Sequence, residues 1–202
     1  PLDDVTNRLK KRIFDIVFST LIIILVLSWL IPLVSLLIFI ESGLPIFFLQ
    51  ERTGKDTKPF SCFKFRSMKV NKDANLRQAS KNDDRITKIG SYLRKLNIDE
   101  FPQFINVFLG DMSVVGPRPH MLKHTDDYSE KINHYMVRQF MKPGITGWAQ
   151  VHGFRGETKT IEEMEARVEH DLWYMENWSL WLDMRIIFLT FYNMIRGEKN
   201  AF

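Results

Sequence analysis

Cysteine is nearly absent from this chain of 202 residues, and neither sign of charge dominates it. Cys62 stands alone, which excludes an intrachain disulfide framework and fits a reducing compartment. His120 and His124 would share one face of a helix, but no Cys/His spacing is typical of a zinc site. With 28 basic and 24 acidic residues the net charge is only +4, which leaves phosphates, lipid headgroups and nucleic acid open as partners.

Internal repeats and low-complexity tracts are absent as well, and the length fits one or two domains. The chain starts at Pro1 rather than at a methionine. We therefore expect it to be the tail of a longer protein or a processed product.

What the sequence does contain is one long apolar run. Residues 16–40 carry no charge over 25 positions, which exceeds the roughly 20 residues that span a bilayer. The run is too long for the apolar region of a signal peptide, and no small-residue cleavage site follows it. The sequence therefore predicts a membrane segment, and we divide the chain into residues 1–41, the basic flank and membrane helix, and residues 42–202, a domain at the membrane surface.

The flanks of this segment bear on its topology. Basic residues mark the cytoplasmic side of a membrane segment, and they stand on both sides of this one, so one straight span cannot satisfy both flanks. They are Arg8, Lys10, Lys11 and Arg12 upstream and Arg52, Lys55, Lys58, Lys64, Arg66, Lys69 and Lys72 downstream. Pro32 removes a backbone hydrogen bond and should bend the helix, with Ser28 and Ser35 available for the freed backbone groups. We therefore expect a re-entrant helix that enters and leaves on one face. A kinked span with a basic far side is the alternative.

Two short strands are predicted next, over residues 46–51 and 59–68, around a polar turn. In the second strand Phe63 and Phe65 would face one side while Lys64 and Arg66 face the other. The two cations could hold a phosphate, or they could form a solvated face beside lipid headgroups. Residues 71–84 are polar and predict a short helix and a loop.

Two adjacent acids, Asp99 and Glu100, lie at the break between two predicted helices. The structural interpretation is that Asp99 caps the second helix, with Pro102 in its first turn and Glu100 complementing the helix dipole. The functional interpretation is that two carboxylates together with substrate phosphate bind Mg²⁺, and that one of them attacks phosphorus. The sequence alone leaves both open.

A rigid basic turn follows in "GPRPH", where a proline on each side of Arg118 fixes the backbone that presents the guanidinium. Alone, this is a turn with an exposed arginine. In the company of Lys64, Arg66 and Arg94 it indicates a phosphate-handling site at a membrane. The closely spaced glycines of "GITGW" fit either a turn near a ligand or close packing.

Several motifs in one order resemble the bacterial sugar transferase family, the monotopic polyprenyl-phosphate phosphoglycosyl transferases. They are "KRIFDIVFS", "FKFRSM", "DRITKIGSYLRKLNIDEFPQFINV", "GDMSVVGPRPH", "KPGITGWAQV" and "NWSLWLDMRIIFLTF". The tail further resembles the branch of undecaprenyl-phosphate glucose phosphotransferases, whose catalytic domain ends a longer membrane protein.

The resemblance implies a two-step reaction in which Asp99 attacks the sugar-linked phosphate of a UDP-sugar, UMP leaves, and undecaprenyl phosphate takes the phosphosugar. Glu100 would share Mg²⁺ with Asp99. Arg94 and Arg118 would hold phosphate charge, with Lys64 and Arg66 as further candidates. Arg155, in the segment "GFRGE", would contact the substrate where sugar choice is made.

The implied fold is α+β: a helix-dominated, membrane-associated domain with a re-entrant, kinked N-terminal helix, a small sheet and amphipathic interfacial helices. The implied location is the cytoplasmic face of the bacterial inner membrane, with no nucleic-acid partner and with a homodimer left open. The C-terminal aromatic residues from Trp173 to Tyr192 fit a headgroup-level surface, although some must be core. A non-catalytic scaffold that binds anionic lipid and a Mg²⁺-dependent membrane phosphatase stay as alternatives.

Overall fold

The computed structural model describes residues 1–70, 83–156, 158 and 160–196, and the predicted short helix and loop over 71–84 lie largely outside them. The described part is mostly helical, with two two-stranded sheets, so the α+β prediction is confirmed. The helices are α1 (Val5–Ile22), α2 (Ser28–Ser42), α3 (Lys88–Lys95), α4 (Gln103–Leu109), α5 (Leu122–Ser129), α6 (Trp148–Val151), α7 (Ile161–Glu176) and α8 (Leu180–Arg196).

The two sheets are small and separate. Strands β1 (Phe47–Thr53) and β2 (Pro59–Phe65) pair antiparallel, so that Phe48 lies opposite Lys64. The second strand ends at Phe65 rather than at Met68, and Arg66 follows it directly. Strands β3 (Ser113–Val115) and β4 (Gly144–Thr146) pair in parallel, and a Cβ atom on Gly144 would collide with the backbone of Gly116. The glycines of "GITGW" therefore serve close packing.

The N-terminal helix runs over Val5–Ser42 and is long and apolar enough to cross a membrane. Asp4 caps its start, and Gly43 ends it in a left-handed conformation that favours glycine. A π-helical turn at Ile23–Leu27 joins α1 to α2 one turn before Pro32. Such turns and prolines are both places where helices bend, but the bend itself stays a prediction.

The serine support predicted at Pro32 stays a prediction, although Ser28 bonds a backbone carbonyl at the π turn. Because the N–H of Ser28 bonds the carbonyl of Ile23 in the π turn, the carbonyl of Ile24 lacks its usual partner. The hydroxyl of Ser28 donates to that carbonyl at 2.7 Å. Ser35 makes no comparable bond in the described part of the chain.

One stripe of the N-terminal helix is buried along its whole length. Towards the middle and C-terminal end this stripe consists of Leu27, Leu30, Val34 and Ile38, which pack with Phe65 and Leu93. The opposite face exposes large apolar side chains such as Ile24, Trp29 and Ile40. The helix thus has one face for the protein and one for an apolar environment.

The N-terminal end of this helix carries charged groups into the protein. Lys11 forms an ion pair of 2.7 Å with Asp183 of α8, which also accepts hydrogen bonds from Tyr174 and Trp178. Asp15 accepts from the hydroxyl of Ser113 at 3.0 Å and from the backbone N–H of Val114 at 2.9 Å. Lys11, expected only as a cytoplasmic flank, is therefore a buried anchor.

The C-terminal aromatic residues divide between core and surface, as the sequence requires. Tyr174 and Trp178 are buried in the core formed by α4, β3, α7 and α8. Helix α8 exposes an apolar face that consists of Trp181, Met184, Phe188, Phe191, Tyr192 and Ile195. Its spacing of three and four residues makes α8 an amphipathic helix with no partner on that face in the described chain.

Breaking the Lys11 anchor should destabilise the whole fold. Lys11→Ala leaves Asp183 buried without its cation, which costs about 3 kcal/mol. We expect a lower unfolding midpoint in detergent than for the native chain. Lys10→Ala, at an exposed neighbouring position, should leave the midpoint unchanged, and equal midpoints for the two variants would contradict the buried anchor.

Candidate active site

A cavity of about 270 Å³ lies between the β1–β2 hairpin, the turn that carries the two acids, the "GPRPH" loop and the start of α7. Among the described charged side chains that line it, only Asp99 and Glu100 are acidic. The nine basic ones are Arg52, Lys64, Arg66, Lys69, Arg85, Arg94, Arg118, Arg155 and Arg167. Such an excess of positive charge fits a ligand with more than one negative charge.

The two acids reach this cavity because of a tight turn. Asn97 adopts a left-handed conformation after α3, and a 3₁₀ turn at Ile98–Glu100 follows it. The apolar neighbours Ile98 and Phe101 pack towards the N-terminal helix. The acids between them therefore point to the other side, into the cavity, where both are largely buried.

The structural interpretation of Asp99 as a helix cap is wrong. Helix α4 begins at Gln103, and no side chain caps it. Backbone bonds already satisfy the turn, since the N–H of Phe101 donates to Ile98 and that of Phe104 to Phe101, each at 3.1 Å. The carboxylate of Asp99 is therefore not used by the helix start.

Glu100 is held by three cations from three different segments. Its Oε1 atom accepts from Lys64 at 2.8 Å and from Arg118 at 2.8 Å. Its Oε2 atom accepts from Arg118 at 3.3 Å and lies 3.7 Å from Arg155. Burial alone would raise the pKa of Glu100, but these three cations outweigh it and hold the pKa well below its usual range. Glu100 is therefore ionised.

Asp99 has the opposite surroundings. In the described chain it makes no hydrogen bond and no ion pair. Burial and then the charge of Glu100 raise the pKa of Asp99 above its usual range, although Lys64, Arg94 and Arg118 act against them. Its carboxylate oxygens are therefore unengaged, which leaves them available to a ligand.

The predicted basic residues thus share one cavity, but Arg66 has a different principal task. Its guanidinium donates to the carbonyls of Ser42, Gly43 and Leu44, where the N-terminal helix ends. Arg66 therefore joins the cavity to the end of the membrane helix. Lys64 is held in place through β2, because the side chain of Asn106 bonds the backbone of Ser61 and Phe63.

A buried hydrogen-bond network holds the backbone of Arg118 in place. The Arg138 guanidinium donates to the backbone carbonyl of Arg118 at 2.8 Å and forms an ion pair of 2.7 Å with Asp171. Arg138 also donates to the ring of His120, which bonds the hydroxyl of Tyr135. Burial first, and then Arg138, hold the pKa of His120 well below its usual range, so His120 is a neutral hydrogen-bonding residue.

No His/Cys/Asp/Glu group of three or more that could hold a metal is present within the described ranges.

The sequence reasoning missed four basic residues of the cavity. Arg52 and Lys69 had counted only as flanking charge, and Arg85 and Arg167 had no assigned role. Arg167 did leave a signal, because it lies on α7 among Met164, Val168 and Asp171, the buried stripe of that helix. An arginine on a buried stripe needs a partner.

The two acids should have opposite effects on stability. Asp99→Asn removes a buried charge whose folded pKa is raised, so we expect an unchanged or higher unfolding midpoint at neutral pH. Glu100→Gln removes a charge whose folded pKa is depressed and takes their shared carboxylate from three cations, which costs roughly 3 kcal/mol. The Glu100 contribution is present above the ordinary glutamate pKa and lost as the pH falls through the folded value. Unfolding midpoints in detergent measure both, and an equal loss in both variants would contradict this division.

Comparison with known proteins agrees with these features. Residues 6–197 match the family model described as "Bacterial sugar transferase". The UDP-glucose:undecaprenyl-phosphate glucose-1-phosphate transferase of Escherichia coli (strain K12) is 52% identical over 191 residues, which are 94% of this chain and 41% of the relative. The protein of the same name from Caulobacter vibrioides is 43% identical over 203 residues, which cover 100% of this chain and 75% of the relative.

The relatives differ in the sugar for which they are named. A UDP-N-acetylgalactosamine-undecaprenyl-phosphate N-acetylgalactosaminephosphotransferase of Aeromonas hydrophila is 42% identical over 189 residues, 93% of this chain and 44% of the relative. This chain spans less than half the length of the relatives from Escherichia coli and Aeromonas hydrophila. The matched residues include the whole described cavity. On this evidence the chain belongs to the bacterial sugar transferase family.

Proposed function

We propose that this chain transfers a hexose 1-phosphate from a UDP-sugar to undecaprenyl phosphate and releases UMP, as the first membrane step in the synthesis of an exopolysaccharide, capsule or O-antigen. Relatives named for UDP-glucose and undecaprenyl phosphate support this donor and acceptor. Glucose is the sugar we propose. The observation that carries the proposal is the buried, unengaged carboxylate of Asp99 in a cavity rich in cations.

The chemistry proceeds in two displacements. A carboxylate oxygen of Asp99 attacks the phosphorus that bears the sugar, and the bond from that phosphorus to the bridging oxygen breaks, so that UMP leaves with the electron pair. An oxygen of undecaprenyl phosphate then attacks the same phosphorus. The aspartyl bond breaks, and Asp99 regains its charge as the lipid diphosphosugar forms.

The basic residues make this attack feasible. A carboxylate that approaches a diphosphate meets electrostatic repulsion, and fixed cations in a partly buried site offset that repulsion. Lys64, Arg94 and Arg118 act on Asp99, and Arg155 lies 3.7 Å from Oε2 of Glu100. Glu100 is a positioning residue in this arrangement, since it fixes Lys64 and Arg118 in place.

A Mg²⁺ ion fits the two acids together with substrate. Asp99 offers unengaged oxygens, and Oε2 of Glu100 has one bond of 3.3 Å and so retains accepting capacity. Two carboxylates and phosphate oxygens are the hard ligands that Mg²⁺ prefers. When bound, the ion would neutralise diphosphate charge. We therefore propose Asp99 and Glu100 as its ligands.

We further propose that the N-terminal helix is re-entrant, bent around Pro32, with the domain on the cytoplasmic face of the inner membrane. Contacts at both ends of the helix support this. Lys11 and Asp15 bond the protein near the start of the helix, and Arg66 bonds its last carbonyls. A straight helix of 38 residues would be about 57 Å long. The exposed apolar face of α8 would lie at headgroup level on the same side.

Intact-protein mass spectrometry tests the covalent step. Incubation with Mg²⁺ and UDP-glucose or UDP-galactose should add the mass of a hexose phosphate and release UMP. Asp99→Asn should abolish both, by at least a thousandfold in rate, because the nucleophile is gone. Asp56→Asn, an exposed matched control on the β1–β2 turn, should behave as the native chain.

The alternatives give different products in the same assay. Free sugar phosphate released into water, without a lipid product, would favour a membrane phosphatase. Neither adduct nor UMP from any UDP-sugar would overturn the transferase proposal and favour a lipid-binding scaffold.

Cysteine labelling tests the membrane topology. Cys62 is buried, so a low background is expected. Cysteines introduced at Asp3 and Leu44 flank the helix, and both positions are exposed. For a re-entrant helix, an impermeant maleimide should label both only after spheroplasts are opened. Labelling of one of them in intact spheroplasts would indicate a span.

A helix that lies flat on the membrane would give the same labelling pattern, so depth must be measured as well. A fluorescent probe on a cysteine that replaces Leu25, at mid-helix, should be quenched by lipids brominated deep in their acyl chains. Quenching only by headgroup-level quenchers would contradict re-entry.

A further inference from the structure

Two arginines of the cavity carry charges that no acid in the described chain neutralises directly. Arg52 donates to the carbonyl of Pro119 at 3.3 Å and to the side chain of Gln50. Arg167 donates to the carbonyl of Gly156 at 2.7 Å and is only 4% exposed. Neither forms an ion pair in the residues that the structure describes, and the Nε atom of each is buried without a hydrogen-bond partner.

Such an arrangement is unfavourable without a ligand. A buried cation that lacks a counter-ion loses hydration that neutral carbonyl groups only partly replace. Burial accordingly lowers the pKa of Arg52 and the pKa of Arg167 to about 10 in each case. Both guanidiniums line the cavity, so a bound anion could reach them.

Their position relative to the "GPRPH" loop places them on one side of the site. Arg52 bonds the carbonyl of Pro119, the residue after Arg118, and Arg167 bonds Gly156, the residue after Arg155. His124 lies within the influence of both arginines, since burial first and then Arg52 and Arg167 among its neighbours lower its pKa. The strongest cationic influences on Asp99 come from Lys64, Arg94 and Arg118 instead.

We propose that Arg52 and Arg167 form a second anion subsite, which binds the uridine-bearing phosphate of the donor and then of the departing UMP. This inference rests on the proposed function. In this proposal the departing UMP lies at the end of the cavity with Arg52 and Arg167. The transferred hexose phosphate lies at the other end, with Asp99.

The chemistry of the first displacement explains the need for such a subsite. When the bond between the sugar-bearing phosphorus and the bridging oxygen breaks, the electron pair stays on that oxygen. The uridine-bearing phosphate then changes from one negative charge to nearly two. In an in-line displacement the nucleophile and the leaving oxygen lie on opposite sides of phosphorus. Cations that lie further from Asp99 than Arg118 does would therefore stabilise the leaving group.

The lipid phosphate is less well suited to this subsite. The opposite rim of the cavity contains Pro45, Phe47 and Arg66, which follow or bind the end of the membrane helix. A phosphate on a membrane-embedded lipid would approach from that rim. The rim with Arg167 is formed by the first turns of α7 and the segment before it, and we assign the water-soluble nucleotide to this rim.

Binding of UMP tests this subsite without turnover. Dissociation constants for UMP should rise about 10- to 100-fold in Arg52→Gln and in Arg167→Gln, because each loses a charge-assisted contact to phosphate. Without UMP, both variants should unfold at the native midpoint or above it, since an unpaired buried cation has been removed. Arg196→Gln, at the exposed end of α8, should match the native chain in both measurements.

Transfer from the hexose-phosphate adduct to undecaprenyl phosphate supplies the second measurement. Its rate should stay within about twofold of native in both variants, because UMP has already left. Slower lipid transfer with native UMP binding would overturn the assignment and point to the lipid phosphate. Lower midpoints with native UMP binding would likewise overturn it and show a purely structural role.

Failure of the broader proposal gives a separate result. If the native chain forms no adduct and releases no UMP from any UDP-sugar, the transferase function itself is wrong. If the native chain forms the adduct but its variants bind UMP normally, only the subsite is wrong. Arg52→Lys and Arg167→Lys, which keep the charge, should recover part of the affinity, and the absence of any recovery alongside a lowered midpoint would also contradict the subsite.

Discussion

The shared ion pairs of Glu100 connect the parts of the chain that build the cavity. Lys64 comes from a β-strand, Arg118 from a proline-locked loop and Arg155 from a segment before α7, and one carboxylate holds them together. Each of these cations alone would repel the others at such distances. Their convergence therefore depends on a buried acid whose pKa stays low, and the geometry around Asp99 depends on that convergence.

The neighbouring acid, Asp99, faces the same cavity but has different surroundings. The turn at Ile98–Glu100 packs its apolar side chains against the membrane helix, so both acids must face the cavity. The cations reach Glu100 with direct bonds and reach Asp99 only through their field. Of two like charges in sequence, Glu100 is thus engaged by cations and Asp99 is left without a direct partner among the described residues.

Much of this was readable from the sequence. The apolar run, the mixed α and β class, the hairpin with Lys64 and the break before Asp99 each follow from local patterns, and the family motifs joined Arg94, Arg118 and Arg155 to one site. Patterns of this kind depend on neighbours in the chain. The structure confirms the fold class and brings these residues together, whereas the catalytic and metal-binding roles stay proposals.

The misses arise from one local backbone pattern and from contacts between distant segments. The cap assigned to Asp99 failed because backbone bonds already satisfied the start of α4. Lys11 was counted as a flanking charge, although Asp183, far along the chain, buries it. Arg66 lines the cavity as expected, and what the sequence did not predict is that it also donates to carbonyl groups at the end of the N-terminal helix. No periodicity in a single segment encodes which remote group will meet a charge.

The anchoring of the N-terminal helix also limits how this protein can be handled. Its buried stripe supplies Lys11 and Asp15 to one core and Leu27 to Ile38 to another. Deleting the residues before Ser42 would therefore not release a soluble domain but would uncover both an unpaired aspartate and a large apolar surface. A water-soluble version would have to keep this helix and replace only the outward-facing residues, such as Ile24, Trp29 and Ile40, with polar ones. In that sense the helix is part of the hydrophobic core of the protein as much as it is an exposed apolar surface.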